Sequence, residues 1–446
     1  RIWRGGRLED MNYQEAMTYI EEKNRWGSEL GLTQIRKLLQ RMGNPQNRCK
    51  VVHIAGTNGK GSILSFMDAA LQDAGYRVGR YSSPTIFTYL ERFQINDTYM
   101  SEERFADLLS RVASHVSAME ANGEGTVTAF ELETAIAFQY FYEEQVDVVL
   151  LETGMGGRLD ATNVVERPLC TIIASISLDH TAILGSTIPE IAAEKAGILR
   201  DRVPCVIYPV NEEAMPVLLD ACEKHNIQPT IPDLNKLTIQ KENLLYETFA
   251  YKNVIYKSSL LGKHQIYNAI TAIEALNTIS SALIDTESEY KTNGLKNVNI
   301  QNGLQHTGWK GRFEILEEHP YVIRDGAHNL DAANRLYEQL RKHFTKKRIL
   351  YIIGVLRDKA HYEMFRKLVP LADKVYVLTV PDNPRALPAE ELAEEVRQFC
   401  PEVVVTETPE QAYILAKQDA EPEDVIVAFG SLYYIGRIGD RNGTDR

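Results

Sequence analysis

The sequence predicts an α/β protein in two domains, each with its own largely parallel sheet. Three observations predict it. Short Val/Ile/Leu runs alternate with amphipathic helical stretches, glycine-rich segments follow several of those runs, and after a polar interval the alternation starts again near residue 308. Short continuous apolar runs joined through helices are the pattern of parallel strands covered on both faces.

In chain order, the first set of strands is expected at Lys50–Ala55, Tyr76–Ser82, Val146–Leu151, Leu169–Ser175 and Val203–Tyr208. Amphipathic spacing predicts helices over Gly61–Ala74, Arg104–Ala118, Leu132–Glu144, Ile188–Leu199 and Glu212–His225. The tyrosine-interleaved stretch Leu244–Leu260 reads as an antiparallel hairpin, with a helix following over His264–Ser281. Asp285–Gln305 is rich in Asn, Lys and Glu and reads as a linker or a domain edge. Beyond it, strands are expected at Tyr321–Arg324, Arg348–Ile353, Lys374–Leu378, Val403–Thr406 and Val425–Phe429. Helices are expected at Leu330–His343, Pro388–Phe399 and Pro409–Gln418.

Composition narrows the function classes. The 446 residues are 44% hydrophobic and 25% charged, which is globular and large enough for two or three cores. Forty-nine Lys and Arg against 61 Asp and Glu leave a net charge of −12, with no long basic run, so neither nucleic acid nor an anionic membrane is an expected partner. No apolar stretch is long enough to span a bilayer. The five cysteines carry no Cys-x-x-Cys pair, against a disulfide framework or a structural zinc site. RIWRGGRLED has no apolar core, so it does not read as a secretion signal; Met11 reads as a natural start and the reducing cytoplasm as the expected compartment.

The strongest local signal is VVHIAGTNGKGS, in which an apolar strand runs into Gly56, Thr57, Asn58, Gly59, Lys60, Gly61 and Ser62 and then a helix. Glycines let backbone N–H groups converge on phosphate oxygens, and the helix N-terminus adds partial positive charge. Lys60 is placed to reach the β- and γ-phosphates, and Ser62 to offer a hydroxyl to Mg²⁺. The loop departs from the strict phosphate-loop pattern: Ile54 stands where the first glycine belongs, and Gly61 separates Lys60 from Ser62. In LLETGMGGRLDATNV, a buried strand delivers Glu152 at its carboxyl end, where α/β sheets bind ligands and a carboxylate suits Mg²⁺. Taken alone, Glu152 is equally a helix cap or a surface carboxylate.

Asp179-His180 follows another strand end, making His180 a candidate metal ligand. Lys195 lies on a mainly apolar helix, where an isolated lysine normally snorkels to solvent. Later come GKHQIYN (Gly262–Asn268), GRFE (Gly311–Glu314) and DGAHN (Asp325–Asn329), each weak by itself. Their bland readings are a cap for Asp325 or Asn329, a loop histidine for His328 and a surface charge for Arg312.

In this order, GTNGKGS, SSP-x6-ER, GMGGRLDATNV, LDH-x3-LG-x-T-x3-IA-x-EKAGI, GRFE and DGAHN resemble the Mur ligase superfamily, and within it the folylpolyglutamate synthases. The wording is most similar to that of the bacterial bifunctional dihydrofolate synthase/folylpolyglutamate synthases, and the match runs from about Met11 to about Gly436. The resemblance implies an N-terminal P-loop ATPase domain over 1–307 and a smaller, Rossmann-like glutamate ligase domain over 308–446. Gly56 to Ser62 would form the phosphate loop; Ser62, Ser83, Glu152 and His180 would surround magnesium; Lys195 would be carbamylated. Asn268 would contact adenine, Arg312 the phosphates, and Asp325 with His328 would complete the nucleotide site. Lys60, His180 and Lys195 would be the catalytic residues. One departure is that Thr85 stands after Ser83-Pro84 where the family often has His.

The implied reaction joins L-glutamate to tetrahydrofolates, and to dihydropteroate, using ATP and Mg²⁺ through an acyl phosphate. A Mur-type ligase of cell-wall precursors is the alternative. The expected partners are these small molecules, and the expected state is a monomer. Lys60, Arg92, Arg158 and Arg312 are the expected sources of local positive potential in an acidic chain.

Overall fold

In a computed structural model, residues 11–24, 31–283, 295–357 and 361–439 are described. The first sheet has seven strands, β1 (Val51–Ala55), β2 (Val78–Tyr81), β3 (Phe93–Ile95), β4 (Thr98–Tyr99), β5 (Val148–Glu152), β6 (Cys170–Ile173) and β7 (Cys205–Ile207), in the order β4-β3-β2-β5-β1-β6-β7. Its five central and right-hand strands are parallel, and β3 and β4 are added antiparallel at one edge. A three-stranded antiparallel sheet follows, β8 (Leu237–Glu242), β9 (Glu247–Tyr251) and β10 (Val254–Ser258). The last sheet contains β11 (Glu314–Glu318), β12 (Tyr321–Arg324), β13 (Ile349–Ile353), β14 (Lys374–Leu378), β15 (Val403–Thr406) and β16 (Val425–Phe429), ordered β11-β12-β16-β13-β14-β15. Only β11 runs antiparallel there.

Alternation along each strand builds two cores per large sheet. Val51, Val149 and Leu151 face helices Glu102–Ala121 and Ala129–Glu143, while Val52, Ile54, Val148 and Leu150 face helices Lys60–Asp73 and Lys263–Ile279. In the last sheet Tyr351, Val377 and Val427 point to one core and Leu350, Tyr376 and Ile426 to the other. Both sheets are buried on two faces, which is why the strands read as unbroken apolar runs.

Of the two readings of Asp285–Gln305, linker or domain edge, the second holds for the described part, which is an edge of the first domain and not a linker. The segment's first half lies outside the described residues, but Asn297–His306 is a helix, laid on helix Lys60–Asp73 so closely that the Gly303 backbone touches Ala70. Its polar residues are used: Asn299 and Asn302 both donate to the Asp73 carboxylate. The expected hairpin gains a third strand, β8, whose two faces are both largely exposed and so leave little apolar alternation. The short strands β3, β4 and β11 were likewise not anticipated; β4 is two exposed residues, and β11 spells Glu-Ile-Leu-Glu-Glu.

Candidate functional site

The phosphate loop leaves β1 and enters helix Lys60–Asp73, so its N–H groups gather at a helix N-terminus with its partial positive charge. Beside it, β5 ends in Glu152 and β6 leads to Ser175 and then Asp179-His180, so three adjacent parallel strands deliver their carboxyl ends to one edge. The C-terminal domain closes over that edge with the Arg312–Phe313 segment, the Asp325–Asn329 loop and helix Leu330–His343. One cleft of about 150 Å³ is lined by all the predicted site residues: Gly56 to Ser62, Ser83, Glu152, His180, Lys195, Asn268, Arg312, Asp325 and His328. Residues separated by up to 272 positions in sequence, Gly56 and His328, thus meet in one place.

Charge inside the cleft is held in a tight balance. Lys60 donates to the Gly56 carbonyl at 3.1 Å and its ammonium lies 3.6 Å from Glu152. Glu152 is only 6% exposed; burial raises its pKa, against the pull of Lys60 and Arg312. Burial also raises Asp325, opposed chiefly by Arg312 and by the N–H groups of Phe313 and Ala327, which it accepts at 2.7 and 2.8 Å. Arg312 is therefore no surface charge: burial holds its pKa below the ordinary value, against the opposing pull of Asp325 and Glu152. Asp325 is not a helix cap either; that role belongs to Asn329, which accepts from Ala332 N–H at 2.9 Å.

Lys195 does not snorkel. It is 3% exposed, donates to the Gly56 carbonyl at 2.9 Å, and burial with nearby Lys60 lowers its pKa to about 7. His180 adopts a left-handed backbone at φ 50° and caps a short helix; its imidazole is about one-third exposed, turned to the cleft. His328 Nδ1 lies 2.8 Å from the Gly326 carbonyl, and its Nε2 lies 3.7 Å from Asp179. Arg158 stands apart from the expectation: it is exposed, bonds Glu194 at 2.8 Å, and does not line the cleft.

Sequence reading passed over Arg335, which lines the cleft from the C-terminal domain, and its partner Asp331. Arg335 bonds Asp331 at 2.7 Å and Ser175 Oγ at 3.1 Å, and Asp331 in turn accepts from Asn58. The only signal was an acid and a base four residues apart on one helix, which is too common to single out. Trp309, at the domain junction, packs so closely on the phosphate loop that a β-carbon at Gly61 would lie 2.3 Å from its ring, and the Arg80 guanidinium sits over that ring at 5.1 Å.

Next to the cleft, and sharing Ser83, Pro84, Gly154, Met155, His180, His328 and Leu432 with it, opens a second cavity of about 370 Å³. Thr85, Phe130, Leu159, Ala161 and Tyr433 supply much of its wall, and Arg92, ion-paired with the buried Glu133, stands at its rim. The larger, more apolar chamber suits a ring system and the smaller polar cleft suits phosphates.

A P-loop sheet joined to a second α/β domain, with an acid, a lysine and an arginine converging between them, defines a ligase that activates its substrate with ATP. Residues 54–276 match the Mur ligase middle domain, and residues 311–432 match the Mur ligase glutamate ligase domain. The chain is 35% identical to the dihydrofolate synthase/folylpolyglutamate synthase of Bacillus subtilis, over 96% of this chain and 99% of that protein. It superimposes on the Escherichia coli FolC complex with DHPP and ADP with a TM-score of 0.83, at 28% identity over 96% of each chain. A bifunctional folylpolyglutamate synthase/dihydrofolate synthase with Mn, AMPPNP and L-glutamate bound superimposes with a TM-score of 0.79, at 29% identity over 96% of this chain and 97% of that one. The chain belongs to the dihydrofolate synthase/folylpolyglutamate synthase family of Mur ligases, the ATP-dependent enzymes that form an amide with glutamate. Its relation to the ligases of cell-wall precursors is one of superfamily only.

Proposed function

We propose that this chain adds L-glutamate to reduced folates and to dihydropteroate, with the two cavities dividing the labour. The observation that carries the reading is their junction. The cleft carrying the phosphate loop and the chamber beside it meet at Ser83, His180 and His328, where a carboxylate from one reaches a γ-phosphate in the other.

The chemistry follows from that meeting. A carboxylate oxygen attacks the γ-phosphorus, the bond to the departing ADP oxygen breaks, and an acyl phosphate forms. Lys60 and Arg312 stand where charge accumulates on the transferring group and are held there by Glu152 and Asp325. The glutamate amine then attacks the acyl carbon, the tetrahedral intermediate expels phosphate, and the amine proton passes to a base, the role proposed for His180. Two domains packed around the junction keep water from the acyl phosphate.

The donor set fits a hard divalent cation. Ser62 and Ser83 hydroxyls, the Glu152 carboxylate and His180 line one side of the cleft, leaving positions for water and phosphate oxygens, as Mg²⁺ prefers. Bound there, Mg²⁺ neutralises phosphate charge. Lys195, with its pKa lowered to about 7, holds a substantial neutral fraction at physiological pH, and a neutral amine is what attacks CO₂ to give a carbamate and a proton.

We place the division between domains at 307/308, between the helix Asn297–His306 packed on the first domain and the strand β11 of the second. The monomeric state is part of the same proposal. Five free thiols fit a reducing cytoplasm, and no described helix is long and apolar enough to cross a membrane. The test is phosphate release with dihydropteroate and then with tetrahydrofolate, each with and without glutamate. Glutamate-dependent release with both supports bifunctionality; none with either overturns the assignment.

A further inference from the structure

The segment GKHQIYN brings an unused polar group into the nucleotide cleft. Gly262 has φ +105°, and a β-carbon there would lie 2.9 Å from Gln339 Nε2 and 2.8 Å from His264 Cε1. A bare backbone at 262 thus lets helix Leu330–His343 carry Gln339 from the C-terminal domain against the start of helix Lys263–Ile279. Gln339 is 5% exposed, lines the cleft, and its Oε1 has no hydrogen-bond partner among the described residues. Native interiors seldom leave a buried carboxamide acceptor unpaired, so the group points to a ligand. Leu261 and Leu336, both buried, line the same part of the chain's cleft and offer flat apolar walls.

Apolar walls with carboxamides at their edge suit a purine base, and Gln339 adds one from the C-terminal domain to those that Gln265 and Asn268 supply from the first. A carboxamide presents one donor and one acceptor side by side, matching the N6 amino group and N7 of adenine. Hypoxanthine and guanine carry a carbonyl oxygen at position 6, so along that edge they offer two acceptors and leave Oε1 unpaired. We propose that Gln339 reads the base, so that the C-terminal domain adds to the adenine selectivity expected from Asn268 of the first domain. The proposal rests on the nucleotide reading of the cleft given above.

The test compares steady-state KM and kcat for ATP, ITP and 7-deaza-ATP in the whole enzyme. Wild-type protein favours ATP over both analogues by about tenfold or more. Gln339→Met, nearly the same volume without the amide, raises KM for ATP about tenfold with little change for either analogue, so the preference collapses while kcat holds. Gln339→Glu keeps the acceptor and loses the donor, so it penalises ATP but spares 7-deaza-ATP, and it serves should the methionine variant fail to fold. A folded variant that keeps the wild-type ATP-to-ITP ratio, or loses both nucleotides equally, overturns the base assignment alone. Absence of any ATP uptake by wild-type protein overturns the nucleotide reading and this proposal together.

Discussion

Asn58 of the phosphate loop donates its side-chain amide to Asp331 of the C-terminal domain at 2.7 Å, across 273 positions of sequence. The contact is part of a chain of four residues. Asp331 also holds Arg335, and Arg335 reaches back to Ser175, the residue whose carbonyl accepts the Thr57 N–H. The loop that cradles phosphate is thereby tied to the helix that must arrive for the cleft to close.

That tie predicts a coupling. Asn58→Ala and Asp331→Ala each raise KM for ATP several-fold, and the double variant is no worse than the poorer single one. A double-mutant cycle on kcat/KM then gives an interaction of about 1 kcal/mol or more. Additive losses would show that the bond closes nothing.

Lys60→Ala is expected to lower kcat by about 10³-fold or more while leaving the thermal unfolding midpoint nearly unchanged. Among the described residues Lys60 meets the Gly56 and Thr57 carbonyls of its own loop and the Glu152 carboxylate at the end of β5, so its removal costs phosphate binding rather than core packing. Phosphate release by the purified, folded variant measures it; wild-type turnover would remove Lys60 from the chemistry.

Lys195 carries a pH signature. Burial lowers its pKa from 10.5 to about 7, so the folded protein gives up the proton before the unfolded chain does. The penalty for protonated Lys195 is complete below about pH 7 and is relieved as pH rises towards 10.5, so stability gains from this group over that window. Activity at fixed bicarbonate rises through pH 7 as neutral amine becomes available. A ¹³C carbamate resonance from ¹³C-bicarbonate appears in wild-type protein and not in Lys195→Ala; its absence from both denies the modification.

Much of this arrangement was legible in the chain, for a physical reason. A parallel strand buried on both faces must be apolar throughout, and a glycine-rich turn after it has few purposes other than ligand approach, so β1, β5 and β6 and their trailing loops announce themselves. The residues that escaped are those whose meaning comes from a partner far away. Arg335 and Asp331 look like any surface pair, and Gln339 like any polar residue on an amphipathic helix, until the second domain is folded onto the first. Lys195 misled in the opposite direction: its helix gave no hint that the ammonium end lay against the Gly56 carbonyl.

Glu247 offers a test of stability away from the cleft. It is fully buried on β9, 4.0 Å from Lys342, and burial with a further push from Glu242 raises its pKa to about 7. The folded form therefore holds this proton where the unfolded chain has released it. The resulting stability is present below about pH 4.5 and is lost as pH rises through 7. Glu247→Gln is expected to raise the denaturation midpoint at pH 8 and to lose that advantage at pH 5. An equal effect at both would show that the carboxyl is ionised throughout.

Trp309 gives the enzyme a built-in optical gauge. Its indole lies against Gly61 with the Arg80 guanidinium 5.1 Å from the ring centre, so a ligand that fills the loop changes the surroundings of that ring. A glycine that looks like a phosphate motif in the sequence is thus also the seat of the indole at the junction of the two domains.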